Sequence, residues 1–193
     1  SFTVISFFNK RAVIELLNGI VAEHKEKVKD EKLVRVYTNN SIHSGLRHYK
    51  DYLPTPIEYI VCNDKDKENL IADLDDFLSK EHWYRKRGIS YKRNYLLYGE
   101  PGNGKSSLIA AIAHKYRRTL CYLDLNSVTS DSNLREFFSE LPINAILVIE
   151  DLHTVFDKEK PIPQDLKISH SSLLNLLSGV LEKEGVITFF TTN

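Results

Sequence analysis

Gly99-Glu100-Pro101-Gly102-Asn103-Gly104-Lys105-Ser106, continued by Ser107, is the stretch on which the reading of this chain turns. It fits the pattern G-x-x-x-x-G-K-S/T. It lies between a short apolar run, Tyr95 to Tyr98, and a segment from Lys105 to Lys115 with helical apolar spacing. That is the strand–loop–helix setting in which the pattern makes a phosphate-binding loop. Glycines at 99, 102 and 104 let the backbone curl so that successive N–H groups point inward, where they add to the positive end of the helix dipole. Lys105 offers a point charge to the outer phosphates of a nucleotide, and the Ser106 hydroxyl is placed to ligate Mg²⁺. A glycine-rich turn with an incidental lysine is the bland alternative, and the flanking strand and helix argue against it.

Outward from the loop, apolar strands alternate with helical segments. Leu120 to Leu125, Ala145 to Ile149 and Val186 to Phe190 read as strands; Leu134 to Leu141 and Ser172 to Leu181 read as helices. Nearly continuous apolar strands separated by helices are what a parallel sheet covered on both faces requires, so the fold class is α/β. Upstream, Tyr59 to Val61 reads as a short strand. Asp64 is placed to cap a helix with Leu70, Ile71, Leu74, Phe77 and Leu78 on its inner face. Pro54 and Pro56 mark a boundary, which divides the chain into a small α+β region at residues 1–57 and a core at 58–193. In the first, residues 10–26 show helical spacing and Leu33 to Tyr37 alternates like a half-buried strand.

The 193 residues carry 42% hydrophobic and 27% charged side chains, too apolar for disorder. Lys+Arg and Asp+Glu both count 26, so bulk charge does not argue for nucleic acid. Two cysteines, Cys62 and Cys121, rule out a disulfide framework and read as small apolar residues on strands. No apolar run approaches a membrane span. With no Met at all, the chain reads as a segment of a longer protein.

A phosphate cradle binds a nucleotide without cleaving it. Hydrolysis needs one carboxylate on the metal's water shell and another to orient the attacking water. The strand ending at Ile149 is followed by Glu150-Asp151, two acids at the carboxyl edge where open α/β sheets place their ligands. The strand ending at Phe190 leads into Thr191-Thr192-Asn193, whose amide is suited to hydrogen-bond the attacking water or the terminal phosphate. Taken alone, such an Asn often just ends a strand.

Together these residues resemble the AAA ATPases, and more narrowly the family that assembles the cytochrome bc complex, whose mitochondrial member translocates the folded Rieske protein. The resemblance rests on Trp83-Tyr84, Arg87-Gly88-Ile89, Tyr91 and Tyr95-Leu96-Leu97-Tyr98-Gly99 leading into the loop. It also rests on the inverted acid order Glu150-Asp151, on Ser172-Leu173-Leu174-Asn175, on Ser178-Gly179-Val180, and on Thr191-Thr192-Asn193. It covers about residues 58–193 and extends weakly to the start.

The resemblance implies a P-loop NTPase sheet and a family-specific region ahead of it. It makes Lys105 and Ser106 the Walker A pair, with Gly99, Glu100, Pro101, Gly102, Asn103, Gly104 and Ser107 lining the nucleotide. Glu150 becomes the metal-shell acid, Asp151 the water-activating acid and Asn193 the sensor of the terminal phosphate; Ser106, Glu150 and Asp151 surround the metal. The cofactors implied are ATP and Mg²⁺. The partners implied are further copies of the chain in a ring, which supply an arginine in trans, and a protein substrate. A mitochondrial inner-membrane address follows only if segments outside these residues carry an anchor.

Departures from the family pattern are Glu100 and Ser90 in place of prolines, and His153 in place of an acid. The fifth strand, arginine finger and helical lid that the family places downstream fall beyond Asn193, so these residues alone are expected to hydrolyse slowly at best. The segment from Asn126 to Asn133 is polar where threading AAA unfoldases carry an aromatic loop, and residues 157–169 read as a charged, Pro-broken surface insertion. Basic residues at 85–87, 92–93, 115, 117 and 118 read as a solvated face. The alternatives weighed are a clamp-loader-like DNA-linked ATPase and an ATP-gated scaffold that never turns over. A GTPase lacks its Asn-Lys-x-Asp guanine reader, and no substrate lid of a small-molecule kinase is found.

Overall fold

The computed structural model describes residues 14, 15, 18, 19, 33–39, 45–150, 175 and 183–192. The chain divides into Ser1–Lys32 and Leu33–Asn193. In the first unit, residues 14, 15, 18 and 19 are helical, within the helix expected there.

The second unit is built on a six-stranded sheet. Its strands are β1 (Val34–Thr38), β2 (Arg47–Tyr52), β3 (Arg93–Tyr98), β4 (Leu120–Leu123), β5 (Ile146–Ile149) and β6 (Ile187–Thr192), in the order β2-β1-β4-β5-β6-β3. Among the described strands the β1–β2 pair is antiparallel and the other pairs run parallel. The expected boundary near residue 57 therefore falls inside this unit. Residues 33–52 extend the same sheet, because β1 pairs with β4 from Val36↔Leu120 to Thr38↔Tyr122.

Among the described residues it is flanked by helices α1 (Asp64–Ser79), α2 (Glu81–Lys86), α3 (Lys105–Lys115) and α4 (Asp131–Glu140). The central strands are buried on both faces because their residues alternate between two apolar layers. Ile146 and Val148 meet Leu74, Phe77, Ile109 and Ile112 of α1 and α3. Leu147 and Ile149 meet Leu134, Phe137 and Phe138 of α4. The crossover from β3 to β4 passes over β6 and β5, which lays α3 across the sheet and leaves its N-terminus at the carboxyl edge.

Several local expectations are corrected. Residues 57–59 form a 3₁₀ turn rather than a strand at 59–61; it follows Pro54 and Pro56, which remove two donors a ladder would need. Asn63, not Asp64, caps α1, its Oδ1 accepting from the N–H groups of Lys65 and Asp66. Cys62 is half-buried beside that turn rather than on a strand, whereas Cys121 lies within β4, where burial pushes its thiol up to about 12. Strand β4 stops at Leu123, and Leu125–Ser127 turn as 3₁₀.

Helix α1 is tied to β3, the strand that leads into the glycine loop. Arg93 donates to both carboxylate oxygens of Asp73, from Nε at 2.9 Å, and the Tyr95 hydroxyl donates to Oδ2 at 2.6 Å. The Arg93 hydrogen bond holds the Asp73 carboxyl below its ordinary value, against the opposing effect of burial and with help from Tyr95. A depressed folded-state value stabilises the fold above the unfolded carboxylate's pKa of about 3.9, and that contribution is lost as pH falls toward the folded value. The Arg93 and Asp73 side chains are 39% and 35% exposed, so after solvent screening the tie is worth about 1 kcal/mol. Asp73→Asn is expected to lower the urea midpoint at pH 7 and to flatten its fall below about pH 4. An acid limb identical to that of the wild type would show that the tie carries no stability.

Candidate nucleotide site

The glycine loop leaves β3 at Tyr98 and enters α3 at Lys105. Gly102 and Gly104 have φ of +82° and +79°, a left-handed backbone that a side chain adopts only under strain. Gly104 is also the residue before α3 and places no side chain over the helix's first N–H groups. Those groups stay directed at the cleft. Helix α3 is held rigidly beneath, with Ile109, Ala110, Ala111, Ile112 and Ala113 all buried.

Pro101, Gly102, Asn103, Gly104, Lys105, Ser106 and Ser107 surround an open cleft of about 390 Å³, which Glu150 and Thr191 complete from the neighbouring strand ends. The Lys105 ammonium donates to the carbonyl of Gly99 and to that of Glu100, the latter at 3.1 Å, so it lies along the loop itself. The Ser106 hydroxyl donates to Glu150 Oε1 at 3.0 Å across 44 residues of sequence. One hydroxyl and one carboxylate, both hard oxygen donors beside a row of N–H groups, suit Mg²⁺ shared with a phosphate chain, which needs few protein ligands.

The structure thus brings together the loop residues, Ser106 and Glu150. Gly99 and Glu100 flank the cleft through the carbonyls that Lys105 meets. Asp151, His153 and Asn193 lie outside the described residues, as do the expected helix at 172–181, apart from Asn175, and the insertion at 157–169. Thr191, to which the sequence assigns no role of its own beside Asn193, lines the cleft and is 4% exposed. Its signal was the register: β6 lies between β5 and β3, so its carboxyl end must face the loop.

Comparison with known proteins agrees with this geometry. The family model described as "ATPase family associated with various cellular activities (AAA)" matches residues 95–193. The chain is 41% identical over 143 residues to the probable mitochondrial chaperone BCS1-A of Dictyostelium discoideum, covering 69% of this chain and 34% of that protein. It is 38% identical to the mitochondrial chaperone BCS1 of Bos taurus, covering 72% of this chain and 35% of the relative. An AAA-ATPase of Arabidopsis thaliana is 36% identical across 96% of this chain and 40% of its own length. The chain spans about a third of the first two relatives. Among solved structures, two variants of RuvB from Thermotoga maritima superpose with TM-scores of 0.50 and 0.51 at 15% identity, covering 74% and 72% of this chain and 43% and 42% of theirs. At that identity the likeness speaks for the fold alone. With the glycine loop, Ser106 and Glu150 gathered at one sheet edge, and the family model matching across all of them, the chain belongs to the AAA family of ATPases, in its BCS1-type branch.

Proposed function

We propose that this chain binds Mg²⁺·ATP at the glycine loop and, in a ring of like subunits, couples its hydrolysis to the remodelling or translocation of a protein substrate. The observation that carries the reading is the hydrogen bond from Ser106 to Glu150. It joins the phosphate loop to the acidic strand end, the two halves that ATP cleavage needs in one place.

In this reading Lys105 moves from the carbonyls of Gly99 and Glu100 to the outer phosphates, and the loop N–H groups orient the chain of phosphates. Ser106 and Glu150 would hold Mg²⁺, which when bound neutralises phosphate charge. Asp151 takes the proton of the attacking water, and Asn193 orients that water or the terminal phosphate. These last two roles rest on sequence position and resemblance. The ring and the protein substrate follow from the family, as does an arginine supplied in trans. The names of several relatives, mitochondrial chaperones, support a mitochondrial address.

Ser106→Ala tests the metal half of the proposal. Titration with a slowly hydrolysed ATP analogue should show Mg²⁺ strengthening binding to the wild type and failing to do so in the variant, a loss of about tenfold. An Mg²⁺ effect of the same size in both proteins would remove Ser106 from the metal site.

A further inference from the structure

Three adjacent strands end side by side at the edge that carries the cleft. The last β4–β5 rung is Leu123↔Ile149, so Asp124 and Glu150 follow it as neighbours. The last β1–β4 rung is Thr38↔Tyr122, which puts Asn39 and Leu123 next in line. There the ladder gives way to a side chain. Asn39 Nδ2 donates to the Asp124 carbonyl at 2.9 Å, and the Asp124 N–H donates to Asn39 Oδ1 at 2.8 Å. The carboxamide copies both hydrogen bonds of a peptide group. It is 6% exposed, and Asn39 is one of very few buried polar residues among those described.

Asp124 passes the constraint on. Its carboxylate accepts from the N–H of Asn126 at 2.9 Å and from the Ser127 hydroxyl, which closes the turn at Leu125–Ser127. Ser130 then caps α4. The turn is a wall of a second cleft, about 430 Å³, lined also by Thr38, Lys50, Tyr52 and Tyr122 and ending on Glu150. Glu150 borders both clefts. A buried amide satisfied at both ends has two outcomes on truncation: the turn shifts, or two polar groups of Asp124 lose their partner.

We infer that Asn39 is a positioning residue for ATP turnover: its amide fixes Asp124 and the 124–127 turn against the β1–β2 hairpin, and so holds the strand ends beside Glu150 in their working register. This rests on the ATPase reading above, and concerns turnover, since no atom of Asn39 lines the phosphate cleft.

The test uses the intact protein with Asn39→Ala and the near-isosteric Asn39→Asp, which keeps the acceptor and removes the donor. Steady-state ATP hydrolysis should show kcat reduced about tenfold in both variants with KM within twofold of wild type. Amide hydrogen exchange without nucleotide should show the Asp124 N–H about tenfold faster in Asn39→Ala, and the Asn39→Asp variant serves if alanine prevents folding. Unchanged kcat, or KM rising in step with a falling kcat/KM at constant kcat, would overturn the inference. An Asp124 amide that exchanges equally in wild type and Asn39→Ala would overturn it as well. If the wild type neither binds nor cleaves ATP, the ATPase reading fails and the turnover role with it, while the exchange experiment still decides whether the clamp exists.

Discussion

Lys105→Ala is expected to weaken binding of ATP by about 100-fold or more, measured by titration of the purified protein with a fluorescent ATP analogue. The lysine is the one cation in the phosphate cleft among the described lining residues. A charge-assisted hydrogen bond contributes about 1.5–3 kcal/mol, and every 1.4 kcal/mol is a factor of ten in affinity. Two features make the upper end of that range the expectation. The ammonium lies within reach of the loop's own carbonyls at Gly99 and Glu100, so it is already at the site. It also shares the cleft with the carboxylate of Glu150, whose repulsion of a polyphosphate it must offset. Thermal stability should change little, because the aliphatic stem is only partly buried and the core of α3 begins at Ile109. Unchanged ATP affinity in a folded Lys105→Ala protein would contradict the placement of the loop.

The second large effect is expected at the acid pair. Asp151→Asn in the intact, assembled protein should leave ATP affinity within about twofold and reduce phosphate release about 100-fold or more, in the range that removal of a general base produces. The argument is one of position along the strand. Strand β5 delivers Glu150 to Ser106, and the next residue in the sequence, Asp151, is a second acid. Amide for carboxylate keeps the size and removes the capacity to accept a proton. A loss of binding in Asp151→Asn would move Asp151 to the metal. Wild-type protein that assembles and binds ATP yet releases no phosphate would favour a nucleotide-gated scaffold.

What could be read without coordinates follows from which interactions are local. Helix α3 begins and ends at the residues expected, Lys105 and Lys115, because the glycine loop before it and the buried Ile and Ala residues within it are both written in sequence. The strands at 95–98, 120–123 and 146–149 stand out as apolar runs between polar segments, although the first is an edge strand with Leu96 and Tyr98 exposed. Strand β2 was missed for the converse reason. Arg47–Tyr52 is an edge strand with five of its six residues exposed, so no alternation marks it; backbone pairing with β1 alone makes it a strand. The short helix α2 buries no residue and was equally silent.

At the site, the loop and Glu150 were legible because each sits in a motif whose chemistry dictates its spacing. The contribution of residues 33–52 to the same sheet was not, since it depends on β1 docking against β4, more than eighty residues away. Asn39 shows this most sharply. It reads as a polar residue in a loop, and only the parallel register of β1 and β4 sets its amide against Asp124. The cap of α1 slipped by one residue because Asn63 and Asp64 are both good capping types, and only the backbone decides between them.

The central claim is that the glycine loop and the end of β5 form a single Mg²⁺·nucleotide site. It is tested most directly by a crystal structure of the protein with Mg²⁺ and a non-hydrolysable ATP analogue. The account predicts β- and γ-phosphates within hydrogen-bond distance of Lys105 Nζ and the N–H groups of residues 102–106, with a metal ion bound by Ser106 Oγ and facing Glu150. Nucleotide density elsewhere on the sheet, or a loop closed by Lys105 on Gly99 and Glu100 with analogue present at saturating concentration, would contradict it.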